Sequence, residues 1–208
     1  MENRVRIQVD ELGIAEVTLT RGDKMNALDV AMFEALQNAI HQLEAMPKLR
    51  AVVLHGEGKA FCAGLDMGRF AGMANASEDS DGALARLIPR KFGMSNGPQF
   101  VGMGWRSLPV PVIAAVHGVA FGGGLQVALW ADVRLLAPGT KMSVMEMKWG
   151  LVPDMAGMAL MRGLVRDDQM RDLVYSARVV EAEEAVSLGL GTRLCDDPLA
   201  AAREMARS

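Results

Sequence analysis

The chain has 208 residues, 50% hydrophobic and 23% charged, a balance that argues against a disordered chain and suits one globular domain with a core of its own. Its formal net charge of −3 argues against nucleic acid or an acidic membrane surface as a partner. Cys62 and Cys195 are too few for a disulfide framework and Met1-Glu2-Asn3-Arg4 carries no signal-peptide pattern, so the expected location is cytoplasmic.

In chain order, Val5, Ile7 and Val9 alternate with Arg4, Arg6 and Gln8, and Ile14, Val17 and Leu19 follow Gly13. A period of two predicts a pair of strands. The stretch from Arg21 to Leu28 is a turn-rich loop, after which Asp29 is placed to cap a helix whose apolar residues Met32, Phe33, Leu36, Ile40 and Leu43 keep helical spacing. Residues 51–54 form a short apolar strand that empties into a glycine-rich exit running to Phe61-Cys62-Ala63-Gly64-Leu65-Asp66. Patterning weakens over 67–108, with helical character near 84–91 and 100–108. Met67, Met73, Met94 and Met103 suit an adaptable pocket wall and equally suit gap filling in a core.

Pro109 and Pro111 introduce a strand over 112–116, and the chain then reaches His117-Gly118 and the triplet Gly122-Gly123-Gly124. Three glycines strip the turn of side chains, so a ligand can approach main-chain N–H groups that remain free to donate. The buried helix that follows, read as far as Asp132, points its positive end at the same place. That makes an anion or oxyanion site; the competing reading is a tight turn with packing glycines. The apolar run from Val110 to Ala131 is broken by Pro111, His117, Gln126 and the glycines, so it reads as a buried strand and helix rather than a membrane span. Further strands are expected at 133–136 and 141–144. Helices are expected over 155–165, 167–176 and 181–188, then a strand over 192–195 and an amphipathic helix over 199–207. The alternation gives an α/β protein.

The motifs Phe61-Cys62-Ala63-Gly64-Leu65-Asp66, Pro111 to Gly118 with Gly122-Gly123-Gly124, and Gly150-Leu151-Val152-Pro153, in this order from about Val5 to Leu194, resemble the crotonase (enoyl-CoA hydratase/isomerase) superfamily. The resemblance implies a spiral of repeated ββα units with a mainly helical C-terminal part, an acyl-CoA thioester substrate, and a homotrimer or dimer of trimers. Coenzyme A then enters as part of the substrate, with no separate cofactor. The acyl-CoA-binding core is expected over 1–195, and 196–208 reads as the start of a C-terminal helical segment that is short for the family.

Residue by residue, the resemblance puts the two oxyanion donors at the Leu65 and Gly123 peptide N–H groups. Deprotonation beside a thioester makes an enolate, and each such preorganised donor lowers the barrier by ~3–4 kcal/mol. Coenzyme A is expected along the loops near Lys24 to Leu28 and Ala60 to Asp66, which singles out Lys24, Ala27, Ala63, Asp66 and Gly122, with Lys59 and Arg69 as further basic candidates. Hydratases of the family use two glutamates, one shortly after the last loop glycine and one twenty positions on. Here those positions hold Gln126 and Glu146. An amide cannot transfer a proton as a carboxylate does, so the two-glutamate water addition is set against a double-bond migration needing one carboxylate, Glu146. Asp154, eight residues beyond Glu146, matches the spacing of a second acid in related dienoyl-CoA isomerases, or else caps the helix over 155–165. Enoyl-CoA isomerisation is the favoured activity. Hydration in fatty-acid degradation and a non-catalytic CoA-binding role are the alternatives. A triad of Ser143, His117 and Asp132 is rejected for lack of Gly-x-Ser-x-Gly, and the three histidines show no metal-site spacing.

Overall fold

The computed structural model describes residues 4–68 and 89–208. β1 (Val5–Val9) and β2 (Ile14–Leu19) pair antiparallel with Val5 opposite Leu19. Asp10 closes their turn, its Oδ1 accepting the Leu12 and Ile14 N–H groups at 3.0 and 2.9 Å. β3 (Ala51–Gly56) joins β2 in parallel. β4 (Val112–Val116) pairs with β3, and the next strand, β5 (Val119–Phe121), leaves for a second sheet. β6 (Val133–Leu136) returns to the first sheet, and β7 (Lys141–Ser143) pairs with β5 in the second. β8 (Val180–Glu181) lies antiparallel to β7, and β9 (Arg193–Leu194) completes the first sheet beside β6.

The sheets therefore run β1-β2-β3-β4-β6-β9 and β5-β7-β8. Successive repeats give one strand to each sheet, and Cys62 extends the pattern by bridging to Ala120. This is the spiral of ββα units expected from the resemblance. It brings the loop after β3 and the loop after β5 together at one end of the sheets.

The helices hold that end in place. α1 (Val30–Glu44) is capped by Asp29, whose Oδ1 takes the Met32 N–H at 2.7 Å. It buries Met32, Leu36, Ala39, Ile40 and Leu43, the larger of these contributing about 1.5–3 kcal/mol each. α2 (Gly97–Ser107) begins with a reciprocal capping box between Asn96 and Gln99. α3 (Gly123–Leu129) is buried from Gly124 through Leu129. The shorter α4 (Gly157–Met161), α5 (Asp167–Ser176) and α6 (Ala182–Leu188) follow. α7 (Pro198–Arg207) covers the other face of the first sheet, where Ala202, Leu199 and Met205 meet Ile14, Val53, Ile113 and Leu135. A two-pronged pair from Arg203 to Glu16, at 2.7 and 2.8 Å, fixes its direction. No helix among the described residues is long and apolar enough to cross a membrane.

The structure departs from the sequence reading in three places. β5 is a separate strand of the second sheet, not singled out between the 112–116 strand and the glycine turn, because three residues suffice once Lys141–Ser143 offers them a partner. α3 stops at Leu129, short of Asp132, whose Oδ2 instead accepts the Val112 N–H at 2.9 Å. The helix read over 155–165 shrinks to α4, and its N-cap is Ala156 at φ 64 rather than Asp154. The helical character near 84–91 falls largely outside the described residues, and 89–91 form no helix.

Candidate active site

The two converging loops are locked by backbone hydrogen bonds. Phe61 N donates to His117 O at 2.9 Å, Cys62 N to Val119 O at 3.1 Å, and Phe121 N back to Cys62 O at 3.1 Å. Gly64 lies at φ 87, and a Cβ there would stand 2.5 Å from the Phe121 carbonyl oxygen. Only glycine permits that backbone and that approach. Beyond it, Leu28 N donates to Gly64 O at 2.7 Å and Asp66 N to Leu28 O at 3.2 Å. This short parallel pairing uses the neighbours of Leu65, so among the described residues the Leu65 N–H meets no backbone acceptor. On the facing loop, Gly122 at φ 51 donates to Ser143 O at 2.9 Å. Gly123 opens α3, where a first-turn N–H has no partner within the helix. The same imagined Cβ on Gly64 would lie 3.5 Å from Gly123 N, so the two uncommitted amides sit on adjoining walls.

Glu146 begins a 3₁₀ turn, Glu146–Trp149, that folds beneath the glycine loop. It is 9% exposed, so the carboxyl belongs to the interior of the site rather than to the solvated surface. A Cβ on Gly122 would stand 3.3 Å from Glu146 Oε1, placing the carboxyl directly across from that loop. Gln126, buried on α3, donates from Nε2 to Glu146 Oε1 at 2.7 Å, and its own Oε1 accepts the Gly157 N–H at 2.9 Å. The amide thus serves two masters, steering the carboxyl and satisfying the start of α4. Glu146 Oε2 is buried without a hydrogen-bond partner.

Burial pushes the Glu146 carboxyl above its ordinary value of 4.5, opposed by its own N–H and the Gln126 amide, while the charge of Asp154 adds to the rise. Asp154 lies at the exposed rim of the cavity, yet the surrounding walls still raise its carboxyl. Folding therefore favours the protonated form of Glu146, and by linkage this contribution is nil well below 4.5 and becomes a penalty as pH rises through the elevated folded value. We predict that wild type loses stability relative to Glu146→Gln as pH is raised from 4 toward neutrality. Denaturant midpoints measured across that range would run parallel for the two proteins if the carboxyl were unperturbed.

These groups line a cavity of about 1110 Å³. Of the residues singled out in the sequence, Leu65, Gly123, Gln126, Glu146, Asp154, Lys24, Ala27, Ala63, Asp66 and Gly122 all reach its wall. Lys59 does not reach it, and Arg69 lies outside the described residues. Met67 and Met155 contribute to the wall, while Met94 is 86% exposed and Met103 packs against the core; Met73 lies outside the described residues. The rejected triad residues have separate structural tasks: Ser143 Oγ donates to Ala177 O, His117 Nε2 to Gly58 O, and Asp132 pins Val112. Among the described residues no group of three His, Cys, Asp or Glu side chains could hold a metal ion.

Comparison with known proteins agrees with this geometry. The family model described as enoyl-CoA hydratase/isomerase matches residues 10–206. The chain belongs to the enoyl-CoA hydratase/isomerase family. A Mycobacterium tuberculosis protein named probable enoyl-CoA hydratase EchA14 is 34% identical over 202 residues, covering 97% of this chain and 73% of that one. The mitochondrial methylglutaconyl-CoA hydratase of Mus musculus is 30% identical over 91% of this chain and 57% of its own length. A solved enoyl-CoA hydratase/isomerase from Mycobacterium paratuberculosis superposes with a TM-score of 0.87 at 25% identity, covering 100% of this chain and 78% of that one. The chain therefore has the crotonase fold.

In this member of the enoyl-CoA hydratase/isomerase family, two residues that brace the loops around the cavity escaped the sequence reading. Asn26, fully buried at φ 54, accepts the Arg21 N–H on Oδ1 and donates from Nδ2 to Glu57 O and Ala60 O at 3.0 and 2.9 Å. Arg21 donates to Asp66 Oδ2 at 2.6 Å. The only signal was an Asn placed to take a left-handed turn after Gly22 and Asp23.

Proposed function

We propose that the protein binds an acyl-CoA thioester and moves a double bond from 3-enoyl-CoA to 2-enoyl-CoA. The Leu65 and Gly123 N–H groups take the thioester oxygen. Glu146 Oε2 removes the proton from the carbon next to the carbonyl, leaving a dienolate, and returns it to the carbon two positions further along. Lys24, Ala27, Ala63, Asp66 and Gly122 border the coenzyme A portion. The observation that carries this reading is the commitment of both ends of the Gln126 amide, to Glu146 Oε1 and to Gly157. A second proton carrier is absent from that position, whereas one carboxylate with a free oxygen suffices for a shift within one substrate. The raised affinity of Glu146 for protons suits a group that must hold one between removal and return.

Hydration is the second reading, favoured by the hydratase names of relatives and by Asp154, whose charge is felt at Glu146. In it Asp154 supplies the second acid. The test is to incubate the protein with 3-enoyl-CoA and with 2-enoyl-CoA and follow the conjugated absorbance. Growth from the first with little loss from the second is the expected result. Rapid loss from the second substrate overturns the isomerase reading in favour of hydration, and tight binding without either change identifies a non-catalytic member.

A further inference from the structure

Arg21 stands at the cavity wall next to the loop that carries Leu65. Its side chain is 13% exposed. Nη1 donates to Asp66 Oδ2 at 2.6 Å and to Ala27 O at 3.0 Å, and lies 3.6 Å from Asp29 Oδ2. Asp66 follows Leu65 directly, and its Oδ1 takes the Gly68 N–H at 2.8 Å. Ala27 and Asp66 belong to opposite sides of the Leu28–Leu65 bridge. One cation therefore grips both segments of a pairing held by three backbone hydrogen bonds, the third running from Ala63 N to Met25 O at 2.9 Å.

Three bonds still make a short ladder, and so short a ladder lacks independent stability. Donation weakens steeply as an N–H turns away from its acceptor, so a small rotation of the peptide ahead of Leu65 would blunt it. Asp66, held by Arg21 on one oxygen and Gly68 on the other, resists that rotation from the next residue. With Asp66 and Asp29 both beside the same nitrogen, the Arg21 charge is already balanced, which argues against a phosphate group as its partner.

We infer that Arg21 is a positioning residue for the oxyanion site, aiming the Leu65 N–H through its ion pair with Asp66. The inference rests on Leu65 and Gly123 being the donors to a thioester oxygen.

The test compares wild type with Arg21→Met, Arg21→Lys, Asp66→Asn and the Met/Asn double variant, each checked for a cooperative thermal transition. Two readouts are taken: kcat and KM for 3-enoyl-CoA, and the absorption red shift of a bound 2,4-dienoyl-CoA, which reports polarisation of its carbonyl. Arg21→Met should lower kcat ~10–100-fold while KM stays within about threefold, and shrink the red shift. Arg21→Lys should recover part of both. Asp66→Asn should copy Arg21→Met, and the double variant should be no worse than the poorer single one, as expected of residues acting as a unit. A rise in KM with kcat intact would make Arg21 a direct substrate contact and overturn the inference, as would additive losses or an unchanged red shift in a folded variant. If Arg21→Met does not fold, Arg21→Lys and Asp66→Asn decide by the same criteria. Wild type that binds the dienoyl-CoA with no red shift would instead remove the donor reading itself, and the inference with it.

Discussion

Replacing Glu146 by Gln is expected to slow enoyl-CoA isomerisation by ~10²–10⁴-fold, the usual loss when a positioned acid–base group is removed. The substitution is nearly isosteric, so its effect separates chemistry from architecture. A Gln at this position can still accept the Gln126 Nε2–H on the oxygen that occupies the place of Oε1, the contact now 2.7 Å long. What changes is the other end: Oε2, buried and unpartnered, becomes an NH₂ that cannot take a proton from carbon. Binding of acyl-CoA should persist, since the Leu65 and Gly123 amides and the Lys24 edge of the cavity are untouched. The measurement is kcat and KM on 3-enoyl-CoA together with calorimetric affinity for a saturated acyl-CoA. Full activity in the variant would remove Glu146 from the mechanism, and loss of affinity without loss of kcat would move it to substrate recognition.

The residues that could be read early are those whose signal is local. α1 announces itself because Asp29 and five apolar positions at helical spacing need no information from elsewhere in the chain. The glycine loops were legible as turns for the same reason, and Gly64 and Gly122 do sit at positive φ; the choice of an oxyanion site over a packing turn came with the resemblance. What stayed hidden depends on partners far away. Gln126 acquires its two bonds from Glu146 and from Gly157, thirty-one residues downstream, and the turn that presents Gly157 is made by Ala156 in a left-handed conformation that alanine does not advertise. For want of that information the cap and the second-acid readings of Asp154 stood side by side. The Arg21–Asp66 pair, separated by forty-five positions, exists only because the first loop folds back over the exit of β3. Pairing of such distant groups follows from the spiral, and the spiral was accessible only through the resemblance.

The substitution Gln126→Glu tests whether the choice between isomerisation and hydration resides in this one amide. In the variant, one carboxylate oxygen can keep the Gly157 N–H that Gln126 Oε1 now holds at 2.9 Å. The other would face Glu146 Oε1 at the present donor distance of 2.7 Å, a separation at which two ionised carboxylates cannot coexist. The pair must share a proton, so one apparent pKa rises and the other falls. That produces what water addition requires: an ionised member to orient and deprotonate water, and a protonated member to deliver a proton to the carbon next to the thioester. The variant should gain hydration of 2-enoyl-CoA by ~10²-fold over wild type, with a bell-shaped pH dependence replacing a single ascending limb. It should also lose isomerase activity, because a proton shared with position 126 leaves Glu146 less often ionised to take one from carbon. Side-by-side loss of 2-enoyl absorbance gives the answer. Rapid hydration already present in wild type would refute the preference for isomerisation, with Asp154 then the acid to replace. No gain in a folded variant that binds acyl-CoA would mean that position 126 does not face the attacking water.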